Sequence, residues 1–218
     1  MSGRDHLPGH FFYMQTITDY FPGLSEEQIE QFAKLEQLCP VWNSRINVIS
    51  RQDIDHLFEH HILYSAGISK YFKFLSATKI MDAGTGGGFP GIPLAILFPD
   101  CEFCLVDSIG KKIKVVDAIR AELGLKNVKT VCDRFENIIE KFDFILGRSV
   151  MPLTEFYKIT SEKISALNKN PQANGIIYLT GGDVEQDLGM LHATFTVHKM
   201  AEIFPQPFFT TKKIIHIF

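Results

Sequence analysis

A chain of 218 residues, 45% of them hydrophobic and 22% charged, suits one globular domain with a small appendage. Its net charge of −3 excludes a global electrostatic case for a nucleic-acid partner, so any such contact must rest on local patches. The longest apolar runs, such as residues 92–98, stop far short of the roughly 20 residues that span a bilayer, and no membrane partner is expected.

The opening stretch, MSGRDHLPGHFFYMQ, carries charge early and lacks a continuous apolar run ending in a small-residue cleavage site. It does not read as a secretory signal, and a cytoplasmic, monomeric protein is expected. Three regions follow from the patterning: an N-terminal segment (1–24), a helical extension (25–76) and an α/β domain (77–218).

In the extension, Ser25 and Gln28 make a capping box, and Ile29, Phe32, Leu35 and Leu38 recur at three-residue spacing. Pro40 cannot donate to a helix and is expected to kink or restart it, with a largely helical pattern resuming near Asp53. His56 and His60 are four apart, a spacing that can put two metal ligands on one helical face. No third ligand is evident, so a surface or interface role is favoured and no metal is expected.

After Lys79 strands alternate with helices, the mark of a parallel α/β sheet. Strands are expected at 79–83, 102–107, 127–132, 142–146 and 175–179, and helices at 89–98, 111–123 (closed by Gly124) and 153–167. The last 25 or so residues alternate apolar positions on both sides of PQP, too short for a crossover helix, and read as two antiparallel strands at the sheet edge. Cys39, Cys101, Cys104 and Cys132 lie in apolar surroundings. On a strand, Cys101 and Cys104 point to opposite faces, so buried reduced thiols are expected rather than a metal or redox pair.

The stretch IMDAGTGGGFPGIP, residues 80–93, places a glycine turn between the first strand and the first helix, with Pro90 suited to the first helical turn. Such a turn lets a ligand approach the backbone where free N–H groups point. Gly86, Gly88 and Gly91 formally match a dinucleotide fingerprint, a weak signal alone. Asp107, ending the second strand about twenty residues on, adds a carboxylate suited to both hydroxyls of a ribose. An adenosine-type ligand follows; the bland alternative is an Asp that caps the next helix. A nicotinamide cofactor would favour further parallel strands, whereas an S-adenosylmethionine-dependent class I methyltransferase ends in an antiparallel pair.

WNSRINVISRQDI, EHHIL, MDAGTGGGFPGIPLAILFP, LVDSIGKK, LGLKNV, RFE, FDFILGRSVMPL and the late GG together resemble the GidB (RsmG) family, from about Leu35 to the C-terminus. The resemblance implies a Rossmann-like class I methyltransferase sheet in 77–218, S-adenosyl-L-methionine as cofactor, and methylation of a guanine N7 in small-subunit (16S) ribosomal RNA, naked or in an assembling subunit. It also implies that the Gly84, Gly86 and Gly88 loop and Phe89 contact the cofactor, Asp107 its ribose, and Phe135 with Glu136 its adenine region. Arg148 is implied at the cofactor and the target base; a salt bridge to Glu136 or Asp143 is the alternative reading of that residue.

The chain departs from the family pattern at four places: Gly147 replaces a Ser, Ser149 an Ala, Thr180 a frequent Lys, and Tyr64 a frequent Asp. These departures motivate a second reading, a catalytically silent RNA-binding protein; a nicotinamide-dependent oxidoreductase is a third. Because guanine N7 carries a lone pair and no proton, no general base is nominated, and catalysis is expected to rest on positioning. For RNA contact the candidates are Arg45, Arg51, Lys111, Lys112 and Lys114, with Lys126 and Lys129 nearby in sequence; a solvated helix face is the alternative.

Overall fold

Five short apolar runs form the parallel part of a seven-stranded sheet. KIMDA and EFCLV, buried from their second residue onward, have the near-continuous hydrophobicity that strands covered on both faces demand. The structure is a computed structural model that describes residues 16–218; most of the N-terminal segment expected at 1–24, and the opening stretch read for a signal, lie outside the described residues.

In chain order the elements are α1 (Ile17–Tyr20), α2 (Glu26–Arg45), α3 (Tyr64–Ala66), β1 (Lys79–Ala83), α4 (Gly91–Leu97), β2 (Glu102–Val106), α5 (Gly110–Glu122), β3 (Val128–Val131), β4 (Phe144–Arg148), α6 (Leu153–Thr160), β5 (Gly175–Gly181), α7 (Glu185–Gly189), β6 (Phe195–Lys199) and β7 (Lys212–Ile217). Strand order is β3-β2-β1-β4-β5-β7-β6. Strands β1 to β5 are parallel; β7 is antiparallel to β5, and β6 pairs antiparallel with β7 at the edge. The order reverses between β1 and β4, so the crevice beyond their carboxyl ends is where an open α/β sheet takes its ligand.

The sheet separates two cores. On one side Phe32, Leu35, Leu63 and Phe72 of the extension pack with Ile80, Phe103 and Leu105. On the other, Met81, Cys104 and Ile145 meet Phe156 and Leu188. Cys101 and Cys104 fall in different cores, as the strand geometry requires, and both burial-raised thiols are free. Cys132 is exposed, contrary to expectation, because it lies just past the end of β3, an edge strand.

The Ser25–Gln28 capping box forms in both directions. Pro40 does not interrupt α2: its ring lies on the exposed face, while Phe32, Leu35 and Cys39 bind the opposite face to the core and hold the helix across the missing hydrogen bond. The helical segment expected from Asp53 is instead a 3₁₀ turn (Ile54–His56), a π-helical stretch (Leu57–Leu63), α3 and a second 3₁₀ turn (Gly67–Lys70). α4 begins at Gly91, leaving Phe89 and Pro90 in the turn. β4 lies two residues later than expected. Gly147 sits inside it, and Phe156 and Tyr178 close over the space a Cβ there would need. α6 stops at Thr160 rather than 167, where a 3₁₀ turn takes over.

Candidate active site

β1 carries a charged residue next to its end on an otherwise buried strand, and that residue, Asp82, has its partners close by. Its Oδ2 accepts from Thr85 Oγ1 at 2.6 Å and from the Gly91 N–H at 2.9 Å, tying both ends of the glycine turn to the strand. A Cβ on Gly91 would come within 2.8 Å of that same oxygen, so glycine is required there by close approach. Burial pushes the Asp82 carboxyl up to about 6. Sequence reasoning passes over Asp82; the available signal is an acidic side chain in a fully buried strand, which is rare without a partner.

Inside the turn, Gly84 (φ +72°), Gly86 (φ +58°) and Gly88 (φ +95°) take left-handed conformations that side chains disfavour. The turn is held from the neighbouring strand. Asp107, just past β2, accepts from the Gly86 N–H at 3.0 Å through Oδ2 and from the Ile109 N–H at 2.9 Å through Oδ1. The helix-capping alternative for Asp107 is therefore partly realised, since Ile109 precedes α5. Each oxygen still has acceptor capacity, as an ionised carboxylate has about four lone-pair sites.

A cleft of about 330 Å³ opens beside this carboxylate, lined by Gly84, Asp107, Ile109, Lys112, Phe135, Glu136, Ser149 and Val150 among others. Of the expected cofactor contacts it brings together Gly84, Asp107, Phe135 and Glu136. Gly86, Gly88, Phe89 and Arg148, also expected at the cofactor, are not on its wall; the Phe89 ring is buried and meets the His61 ring edge-on at 5.4 Å. Ser149 takes φ +53°, a strained conformation for a side-chain-bearing residue, of the kind that clusters at functional sites.

Arg148, at the carboxyl end of β4, faces the extension rather than Glu136 or Asp143. Asp143 accepts from the Lys79 N–H at 2.9 Å and lies 3.4 Å from Lys169 Nζ. Arg148 donates through Nη1 to the His60 carbonyl at 3.2 Å and through Nη2 to His61 Nδ1 at 2.6 Å, with its guanidinium 5.7 Å from the Tyr64 ring centroid. Burial, assisted by the Arg148 charge, pushes His61 down to about 4, so the ring is neutral. Its Nε2–H then donates to Asp53 Oδ2 at 2.5 Å, and His60 Nδ1–H donates to Asp53 Oδ1 at 2.5 Å. Burial pushes the Asp53 carboxyl up, and the hydrogen bonds from His60 and His61, with the electrostatic pull of both rings, more than reverse it. Sequence patterning does not single out Asp53, His60 and His61 as site residues, because a regular α-helix does not predict the π-helical turn that carries both histidines. His56 stacks on His60 at 4.6 Å, and among the described residues no cluster suited to a metal ion occurs.

The basic candidates converge. Arg45, Lys111, Lys112 and Lys114 line one depression of about 600 Å³ between α2 and α5, and Arg45 with Arg51 lines the adjoining groove of about 450 Å³. Ile109 and Lys112 border both the depression and the cleft beside Asp107, so the two are neighbours. Lys126 and Lys129 line a separate hollow with Glu102 and Glu140, and Lys129 lies 3.9 Å from Glu140.

Among the described residues no helix is long and apolar enough to cross a membrane. Similarity to solved structures is consistent with the sheet order: a SAM-dependent methyltransferase from Aquifex aeolicus superposes with a TM-score of 0.55 at 14% identity, covering 78% of this chain and 98% of that one. MtNAS in complex with MTA and tNA gives 0.56 at 12% identity, covering 88% and 73%. At these identities the likeness shows the fold, that of class I methyltransferases. Sequence similarity is much closer. The chain is 49% identical over 203 residues to Ribosomal RNA small subunit methyltransferase G of Bacteroides thetaiotaomicron, covering 93% of this chain and 98% of that protein. It is 50% identical over 204 residues to the proteins of that name from Phocaeicola vulgatus, covering 94% and 98%, and Flavobacterium johnsoniae, covering 94% and 97%. The family described as GidB, rRNA small subunit methyltransferase G, matches residues 28–212, and the chain belongs to that family.

Proposed function

We propose that this chain transfers a methyl group from S-adenosylmethionine to N7 of a guanine in small-subunit ribosomal RNA. The observation that carries the reading is the Asp107 carboxylate, fastened to the glycine turn and facing a cleft that shares Ile109 and Lys112 with the Arg45, Lys111 and Lys114 depression. The residues fit the cofactor. A Cβ on Gly84 would lie 3.0 Å from Val150 across the cleft wall, and Asp107 keeps acceptor capacity for ribose hydroxyls. Phe135 and Glu136 supply an apolar wall and an acceptor for a base.

When bound, S-adenosylmethionine supplies an electrophilic methyl group on a sulfonium. N7 presents an in-plane lone pair and needs no proton removed, so the protein's work is alignment, for which effective-molarity effects supply up to roughly 7–11 kcal/mol. Arg148 is assigned to the target guanine, its guanidinium held at the β1/β4 switch point by His60 and His61 and able to donate to the base edge at O6. The basic depression holds phosphates flanking the target nucleotide. Incubation with labelled S-adenosylmethionine and small subunits, or their naked RNA, from cells lacking the protein tests the reading. Label should appear at one guanine, and Arg148→Ala in a folded protein should slow transfer by at least about a hundredfold while leaving a measurable residual rate; label absent with wild-type protein, or on a different base, refutes it.

A further inference from the structure

We propose that Asp53 and His61 are positioning residues for Arg148, with Asp53 fixing the His61 tautomer whose Nδ1 lone pair holds the guanidinium. The inference rests on the methyltransferase reading for its activity readout, and on the free protein for its structural one.

The π-helical stretch Leu57–Leu63 is the device that builds the relay. Its wide turn brings His60 and His61, adjacent in sequence, onto the two oxygens of one carboxylate. An Asp53 oxygen can only accept, so the His61 nitrogen facing it, Nε2, must carry the proton. The opposite nitrogen, Nδ1, is thereby left as an acceptor, and an arginine N–H can only donate. Every group in the chain Asp53–His61–Arg148 has one allowed role, so the geometry sets the tautomer without ambiguity.

The arrangement also explains why Arg148 needs an intermediary. Among the described residues no carboxylate is in ion-pair contact with its guanidinium; its acceptors are a neutral ring and the His60 carbonyl. A direct bidentate carboxylate would occupy the planar fork and cancel its charge. A carboxylate acting through a neutral imidazole fixes the orientation and leaves the charge and the remaining N–H donors for the substrate. Phe89 buttresses the same ring, packed edge-on against His61 from the glycine turn. This gives Phe89 a place in the site although it does not line the cleft.

The test uses Asp53→Ala and Asp53→Asn, each in the Arg148 and the Arg148→Ala background. Single-turnover transfer to small subunits, S-adenosylmethionine binding and the histidine ¹⁵N spectrum of the free protein are measured. In the Arg148 background, Asp53→Ala should lower the single-turnover rate about ten- to a hundredfold with the S-adenosylmethionine Kd within about twofold, the pattern of an interaction made in the transition state. Asp53→Asn, which keeps one carbonyl acceptor, should fall between. In the Arg148→Ala background the same change should cost nothing further. The wild-type spectrum should show His61 as the Nε2–H tautomer. Equal losses in both backgrounds, wild-type rates in Asp53→Ala, or an Nδ1–H tautomer at His61 would each overturn the relay. Absence of transfer by wild-type protein would instead overturn the proposed activity, with the tautomer still deciding the relay.

Discussion

Tyr64 donates its hydroxyl to the carbonyl of Thr180 at 2.7 Å, and to that of Lys213 at 3.2 Å. Tyr64 and Thr180, two positions the resemblance marks as departures, are thus joined to each other, and the bond fastens the extension to β5 and β7. The phenol is buried, which raises its pKa, so it stays a donor across the physiological range. Tyr64→Phe keeps the ring beside Arg148 and deletes the hydroxyl. The expected loss is about 1–3 kcal/mol of unfolding free energy, read by urea denaturation, with transfer changed less than tenfold. A larger loss of transfer than of stability would mean that the hydroxyl serves the site directly.

The Gly147 departure has a packing cause. A Cβ there would lie 2.6 Å from Phe156 Cζ and 2.7 Å from Tyr178 Cδ2, both buried rings. Gly147→Ser, which installs the residue the resemblance implies, should therefore destabilise the protein by about 1–3 kcal/mol through overpacking. Gly147→Ser combined with Phe156→Leu should recover part of that loss. Thermal unfolding of the two variants checks the pair, and an unaltered midpoint in the single variant would show that the rings move aside without strain.

These residues mark what could be read in advance. Five parallel strands, the capping box and the antiparallel ending were legible because apolar periodicity and a polar cap act locally. Asp107 and the glycines were legible because turn chemistry is local too. The path from Asp53 to Arg148 was not: it depends on a π-helical turn and on a partner more than eighty residues away. Pro40 misled for the same reason, since tertiary burial of Phe32, Leu35 and Cys39 outweighed a local rule. The basic residues were found singly, and only folding joined Arg45 to the lysines of α5.

Asp107 holds the turn and is proposed to hold the ribose, and two variants test the second role. In Asp107→Asn a single carbonyl remains to serve both the Gly86 and Ile109 N–H groups, so one of them faces an amide donor. Affinity for S-adenosylmethionine should fall roughly ten- to a hundredfold, and Asp107→Ala should fall at least as far. Calorimetric titration measures it. Affinity unchanged in both variants would remove Asp107 from the cofactor site while leaving its role in the turn.

The basic depression predicts a salt signature. If Lys111 and Lys114 each neutralise a phosphate, the slope of log affinity for ribosomal RNA against log salt should become shallower by about 1.4 in the double alanine variant, at about 0.7 per contact on single strands. Affinity for S-adenosylmethionine should not change, because neither lysine borders the cleft. Filter binding across a salt series reads the slope, and an unaltered slope would assign these lysines to a solvated face.

The buried histidines set an acid limit. Burial pushes both His61 and His216 down to about 4, against about 6.5 for an unperturbed ring. Both are neutral in the fold and take up protons sooner when unfolded, so their stabilisation is complete above pH 6.5 and drains away as pH falls toward 4. His198, also pushed down by burial, acts in the same direction. Asp82 opposes them: burial raises it to about 6, so between pH 6 and 3.8 the folded state holds a proton that the unfolded state lacks. Glu36, also raised by burial, acts with Asp82, while the lowered Asp53 acts with the histidines, whose downward shifts dominate near pH 5. Unfolding free energy should then fall as pH drops through that point. His216→Gln removes one of the two and should flatten the slope; its ring otherwise meets the Ala173 carbonyl at 3.0 Å. Denaturant midpoints between about pH 7.5 and 4.5 measure the effect, and a midpoint that rises as pH falls would mean that Asp82 dominates.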